Sequence, residues 1–230
     1  MAEPPKTVSA DASVVAQGTV SASVRANLAL QHLLGAARFT RQSYQVEQAN
    51  AGKPNGPFFE ELIHLVTAAV TLSVGSLKAF ANELFADGTQ CFSSLSKEIR
   101  DAIWVLAEQR PSMEKYDLAL TLHAARPFDK GLPVYQNVEA LVRLRNALIH
   151  FNPEWDDAQD KHKKLSEHLR NKFPLSPFSP ANGPLFPKRC MSHGCAEWAV
   201  RSVIAFLTDF QIRLEMVPKI DAANPGLQTR

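Results

Sequence analysis

Apolar residues recur along this chain at helical spacing, in long proline-free segments separated by clusters of glycine and proline. The pattern predicts helices over Val24 to Ala49, Phe58 to Ala86, Ser96 to Gln109, Met113 to Ala125, Val134 to Phe151, Asp157 to Lys172 and Cys195 to Met216. No convincing strand is left over, and no internal repeat of solenoid period is found. The fold class expected is therefore all-α: a compact helical bundle with a long proline-rich loop before the last helix. Turn residues mark the joints. Lys53-Pro54-Asn55-Gly56-Pro57 separates the first pair, Asp87-Gly88 closes the second helix, and Gly131-Leu132-Pro133 opens the fifth with proline near its first turn.

The second helix carries Ala68, Ala69, Ser73, Gly75, Ser76 and Ala79 among Leu and Val, which lets neighbouring helices approach closely and makes it the expected central packing element. In the last helix Trp198, Val200, Val203, Ile204, Leu207, Phe210 and Leu214 form an apolar face, with Arg201, Asp209 and Arg213 available for the other side. Five prolines between Phe173 and Pro187 forbid a helix there and predict an ordered loop crossing the bundle surface. The expected division is a flexible tail over 1–23, one helical domain over 24–217 and a second flexible tail over 218–230.

An apolar fraction of 45% supplies a substantial core. Twenty-five basic against 23 acidic residues leave a formal charge of +2, so any nucleic-acid contact must be local rather than a global field. The first residues lack an apolar run behind a basic start, and Leu65 to Leu77, the most apolar stretch, falls short of the roughly 18 residues a membrane span needs. Three cysteines, Cys91, Cys190 and Cys195, make no disulfide framework. A cytoplasmic protein with no membrane partner is expected.

The one clearly basic segment runs from Lys161 to Arg189. Lys161, Lys163, Lys164, Arg170, Lys172, Lys188 and Arg189 face a single acid, Glu167. It reads either as a phosphate-contacting surface, with Lys161, Lys163, Lys164, Arg170 and Lys172 as RNA-binding candidates, or as a solvated helix face and loop. Cys190, His193 and Cys195 lack a fourth ligand and regular spacing for zinc, and the Glu61-x-x-His64 step has no second copy to make a di-iron bundle. No metal or other cofactor is expected. No glycine-rich phosphate loop and no Gly-x-Ser-x-Gly elbow occurs. His32, His123, His162 and His168 show no partner at close spacing and read as surface or satisfied core residues.

Chemistry concentrates in the stretch Val138 to Trp155. Val138, Leu141, Val142, Leu144, Leu148 and Ile149 cover so much of the helix that it should be largely enclosed, yet Arg145 and Asn146 interrupt the run. Asn146 and His150 share a face at four-residue spacing, and the long Arg145 side chain can swing to the same cleft. Pro153 ends the helix and leaves His150 in or beside its last turn, where an imidazole can serve as proton donor or acceptor. The alternative is structural: a capping histidine beside an arginine paired with a core carboxylate.

Arg145-Asn146-Ala147-Leu148-Ile149-His150, late in a helix of an all-helical chain and followed by an aromatic residue and Asn152-Pro153, resembles the signature of the HEPN superfamily. The apolar segment Phe58 to Phe85, running into Lys78-Ala79-Phe80-Ala81-Asn82-Glu83-Leu84, is similar to the helix preceding the motif in HEPN-like families. The resemblance covers roughly residues 25 to 217; the long proline-rich loop departs from it. It implies a homodimer that sets two motifs face to face. It also implies metal-independent ribonuclease activity in toxin–antitoxin, phage-defence or RNA-processing systems, with Arg145, Asn146 and His150 catalytic. RNA is then the substrate, and an antitoxin or other protein a possible partner. Family members that have lost catalysis imply the alternative, a silent module binding nucleotide, RNA or protein.

Overall fold

The computed structural model describes residues 13–14, 20–21, 26–87, 91–155, 161–218, 220 and 224–230. Among them the fold is all-α. Seven helices carry it: α1 (Ala29–Ala49), α2 (Phe58–Asp87), α3 (Lys97–Ala107), α4 (Ser112–Leu122), α5 (Pro133–Ile149), α6 (Lys163–Leu169) and α7 (His193–Arg213). Two short strands, β1 (Ser13–Val14) and β2 (Val20–Ser21), pair antiparallel with Ser13 opposite Ser21. They lie in the stretch expected as an N-terminal tail, most of which, like Val24, Gly88 and 157–160 of the expected sixth helix, lies outside the described residues.

Helix α2 is the hub the small residues predict. It lies along α1 and also packs on α7, α5, α3 and α4. Ala69, Ser73, Ser76 and Ala81 on α2 are buried, and a Cβ on Gly35 of α1 would sit 3.1 Å from Leu72 Cδ1 of α2. By length and composition the 29 residues Phe58–Ala86 would suffice to cross a membrane, a longer stretch than the apolar run alone suggests. Leu62, Val66, Val70 and Leu77 are nevertheless enclosed by the bundle. Next to them the rings of Tyr116, Phe80, Phe128, Phe206 and Phe210 pack together, and the buried Tyr116 hydroxyl donates to Leu77 O at 2.8 Å.

Helix ends follow capping chemistry. Ser96 accepts from Ile99 N at 3.4 Å at the start of α3, Ser192 from Cys195 N at 3.0 Å at the start of α7, and Pro133 opens α5. The first helix begins at Ala29 rather than Val24, because Glu83 of α2 accepts the N–H groups of Leu28 and Ala29 at 2.6 and 2.8 Å. That cap comes from a residue 55 positions away. The sixth helix stops at Leu169, short of Lys172: Asn171 takes a left-handed conformation (φ 59°) and Lys172 bonds Asn137 of α5.

Two expectations need correction. The proline-rich loop does not simply cross the surface, for Phe173, Phe178 and Phe186 are buried. Phe173 packs on Trp198 and Phe178 on Phe58, at 5.2 and 4.8 Å between ring centroids. The loop roofs the first turns of α7, which are buried all round from His193 to Val200 instead of along one stripe. A Cβ on Gly194 would meet Pro174 O at 2.7 Å, so only glycine fits there. Likewise residues 224–230, within the expected flexible tail, are docked between α1 and α7 with Leu227 and Thr229 buried.

Candidate functional site

Helix α5 reaches the core through Tyr135, Val138, Leu141 and Leu144, which are buried on one face. Its last turns emerge rather than staying enclosed, because the buried face of α5 ends at Leu144. Val142 and Leu148 are half-buried and Ile149 is 51% exposed. Arg145 is half-buried, and Asn146 and His150 are exposed.

Arg145 Nη1 donates to Asn146 Oδ1 at 3.0 Å. Its Nε is buried with no hydrogen-bond partner, and among the described residues no carboxylate lies within ion-pair distance of the guanidinium. An unfilled buried donor costs about 1 to 3 kcal/mol, and more when it belongs to a charged group. His150 occupies the cap position beyond Ile149, its backbone N–H donating to Asn146 O at 2.9 Å. Among the described residues its imidazole makes no hydrogen bond. Arg145 and Asn146 are thus joined directly, with His150 one turn further on the Asn146 face.

The turn after the motif is held by two residues that no spacing or motif singles out, Glu154 and His162. The Glu154 carboxylate accepts the N–H groups of Lys161 and His162, at 2.8 and 3.2 Å. His162 Nε2 lies 2.8 Å from Asn152 O; a carbonyl only accepts, so Nε2 carries the proton. The buried His162 ring lies parallel to Phe151 (2° between planes, 5.9 Å) and against Phe186 at 4.7 Å. Phe151 remains 46% exposed and Trp155 83%. With Ile149 they form an apolar and aromatic rim beside His150.

Helix α6 packs on α5, so the basic segment adjoins the motif helix. Lys161, Lys163, Lys164 and Arg170 are exposed. Lys172 is not: it is half-buried and donates to Asn137 Oδ1 at 2.7 Å, and burial pulls its ammonium below the ordinary lysine range. It anchors α5 to the loop. Lys188 is exposed, and Arg189 donates to Gly183 O at 3.1 Å.

The cysteines and His193 are engaged elsewhere. The Cys190 thiol lies 3.3 Å from Leu185 O and is pushed by burial up to about 12, while Cys195 is fully buried. His193 instead centres a polar cluster between α1 and α7. Its N–H donates to Glu47 Oε1 at 2.6 Å, and its Nδ1 donates to Thr40 O at 3.2 Å. Its Nε2 is left 3.6 Å from Glu197 Oε2, and Tyr44 packs on the ring. Burial depresses the His193 pKa, outweighing the Thr40 carbonyl and Glu197. Burial raises Glu47, opposed by the His193 N–H. For Glu197 burial pushes upward, but hydrogen bonds from Thr229 and Arg230 and the charges of Arg201 and Arg230 bring the net shift below the ordinary range. The local signals of this cluster in the sequence are the four-residue spacings His193–Glu197 and Glu197–Arg201.

No protein-family model, no curated protein and no solved structure matches the chain.

Proposed function

We propose that the chain is a HEPN-type endoribonuclease that cleaves RNA without a metal ion, works as a homodimer in the cytoplasm, and acts in defence or stress response. The observation that carries this reading is the state of Arg145: a guanidinium with no carboxylate among the described residues, bonded to Asn146 beside the exposed His150. A structural arginine would be neutralised.

In the reaction a base takes the proton of the ribose 2′-hydroxyl, and the oxygen attacks the adjacent phosphorus. An acid then protonates the departing 5′-oxygen. One chain offers one motif histidine, so a twofold dimer supplies His150 from one subunit as base and from the other as acid. Arg145 neutralises the charge building on the phosphorane oxygens, and Asn146 orients the substrate. The exposed lysines of α6 bind the flanking phosphates. None of these roles uses a metal, so activity should survive EDTA.

The deciding experiment incubates the purified protein with mixed RNAs beside a His150→Ala control, with light scattering on the same sample. Cleavage by the wild type alone, from a dimer, supports the proposal; a strictly monomeric protein removes the composite site. The second reading, a silent module that binds nucleotide, RNA or a protein such as an antitoxin, draws on the exposed rim of Ile149, Phe151 and Trp155. Binding without cleavage would favour it.

A further inference from the structure

Residues 224–230 lie in the groove between α1 and α7 as a peptide lies in a receptor, entering as a 3-10 turn over Pro225–Leu227 and continuing extended from Gln228. Asn224 folds the entry by accepting the Gly226 N–H at 2.9 Å. Arg41 of α1 donates to Gly226 O at 3.1 Å and to Gln228 O at 2.5 Å, contacts to the main chain that any sequence can make. Selectivity comes from the side chains. Leu227 is 3% exposed, and Gly226 passes so near Leu34 that a Cβ would come within 2.6 Å of Cδ2. The Thr229 hydroxyl donates to Glu197 Oε1 at 3.0 Å and the Arg230 guanidinium to Oε2 at 3.1 Å, with Arg230 over the Tyr44 ring. Leaving the turn, the chain buries Leu227 and Thr229 and exposes Gln228 between them, so the groove contacts two side chains and leaves the one between them to solvent.

The receptor side stands on helices and is braced apart from its occupant. Glu197 is also held by Arg201 at 2.8 Å, and His193 backs it from within. Moreover, the segment leaves space beside it. A cavity of about 590 Å³ continues along α7 past Leu227, Gln228 and Thr229, bordered by Ile204, Thr208 and Ile212 with Arg201 and Asp209 of opposite charge. Ile212 is 61% exposed there. An identical segment from a second copy would leave the same space unfilled, whereas a larger partner would fill it.

We propose that this groove is a peptide-recognition site for a protein partner presenting a leucine two residues before a threonine–arginine pair. The chain's own 224–230 segment occupies the site until displaced. The site is independent of the RNA reading. A tethered segment competes at an effective concentration of about millimolar, so the wild-type chain screens out weak ligands and the partner gains from contacts in the adjoining cavity.

The test measures anisotropy of a fluorescent peptide, Asn-Pro-Gly-Leu-Gln-Thr-Arg, titrated with the full chain in which Thr229→Asp and Arg230→Asp repel the segment from Glu197. A second release variant, Leu227→Asp, guards against misfolding of the first, and circular dichroism checks both. Saturable binding to the released chains is expected, about tenfold or more tighter than to wild type. Adding Glu197→Gln or Arg41→Ala should weaken it about tenfold, as loss of a charge-assisted hydrogen bond does. No saturable binding to either folded release variant would overturn the proposal. If labelled wild-type chain binds the released chain as tightly as the peptide does, the occupant is a second copy and the partner assignment fails.

Discussion

Arg145 donates to Asn146 Oδ1 at 3.0 Å, a bond between adjacent residues that turns the acceptor end of the amide toward the guanidinium. The amide NH₂ is then what Asn146 has left to offer a substrate. Replacing Asn146 by Asp would remove that donor and set a full negative charge against Arg145. Cleavage is expected to fall by about 100-fold, the lower end of what positioned catalytic groups contribute, while stability stays within about 0.5 kcal/mol because the site is exposed. Single-turnover cleavage and a denaturant melt measure the two; unchanged cleavage would release Asn146 from the site.

His150→Ala and Arg145→Ala should each lower cleavage about 100- to 10,000-fold with the fold intact. His150 caps α5 through its backbone, and a histidine at a helix end contributes only about 0.3 to 1 kcal/mol. Gel assays paired with thermal melts separate the effects. An Arg145→Ala chain that unfolds would make the arginine structural and favour the silent module.

His162→Ala should destabilise the protein by about 2 to 4 kcal/mol, since it removes a buried ring and its bond to Asn152 O. It should also reduce cleavage, because Phe151 and Asn152 next to His150 lose their support. Urea unfolding gives the first number. A loss under about 0.5 kcal/mol would place His162 among ordinary surface residues.

Stability should fall as pH drops below about 6.5, the ordinary histidine value, toward the depressed value of His193. In that window the unfolded chain binds a proton that the folded chain refuses, so unfolding becomes easier on acidification. The groups facing His193 are Glu47 and Tyr44 from α1, Glu197 and Arg201 from α7, and Arg230. Glu47, raised by burial, acts with the opposite sign nearer the carboxylate range, so comparison with a variant isolates the histidine. His193→Asn, which keeps a donor for Thr40 O, should show a shallower fall between pH 7 and 5; an equal slope would contradict the assignment.

Neutralising Lys161, Lys163 and Lys164 together should weaken RNA binding and flatten its salt dependence by about 0.7 to 0.9 per lysine on a log–log plot. Lys172→Ala should instead lower stability, because its ammonium bonds Asn137. Filter binding across a salt series, beside a melt of each variant, distinguishes contact from anchor.

Much of this molecule is written in local chemistry, and such chemistry can be read in order along the chain. Helical spacing of apolar residues placed all seven helices, small residues marked α2 as the hub, and Pro133 and Pro153 bracketed α5. The polar interruption at Arg145 and Asn146 singled out the motif for the same reason: it breaks a local rule. What tertiary structure decided depends on residues far apart in sequence. Glu83 of α2 sets where α1 begins, and Glu47 of α1 holds the start of α7 across 146 positions. Three buried phenylalanines draw the proline-rich loop into the bundle, and Glu197 with Arg41 docks the terminal segment. None of these residues has a spacing that announces its partner. A hydrogen bond or buried ring depends on distance in space, and that distance exists only once the helices have packed, so periodicity decides which elements form while their packing decides which side chains meet.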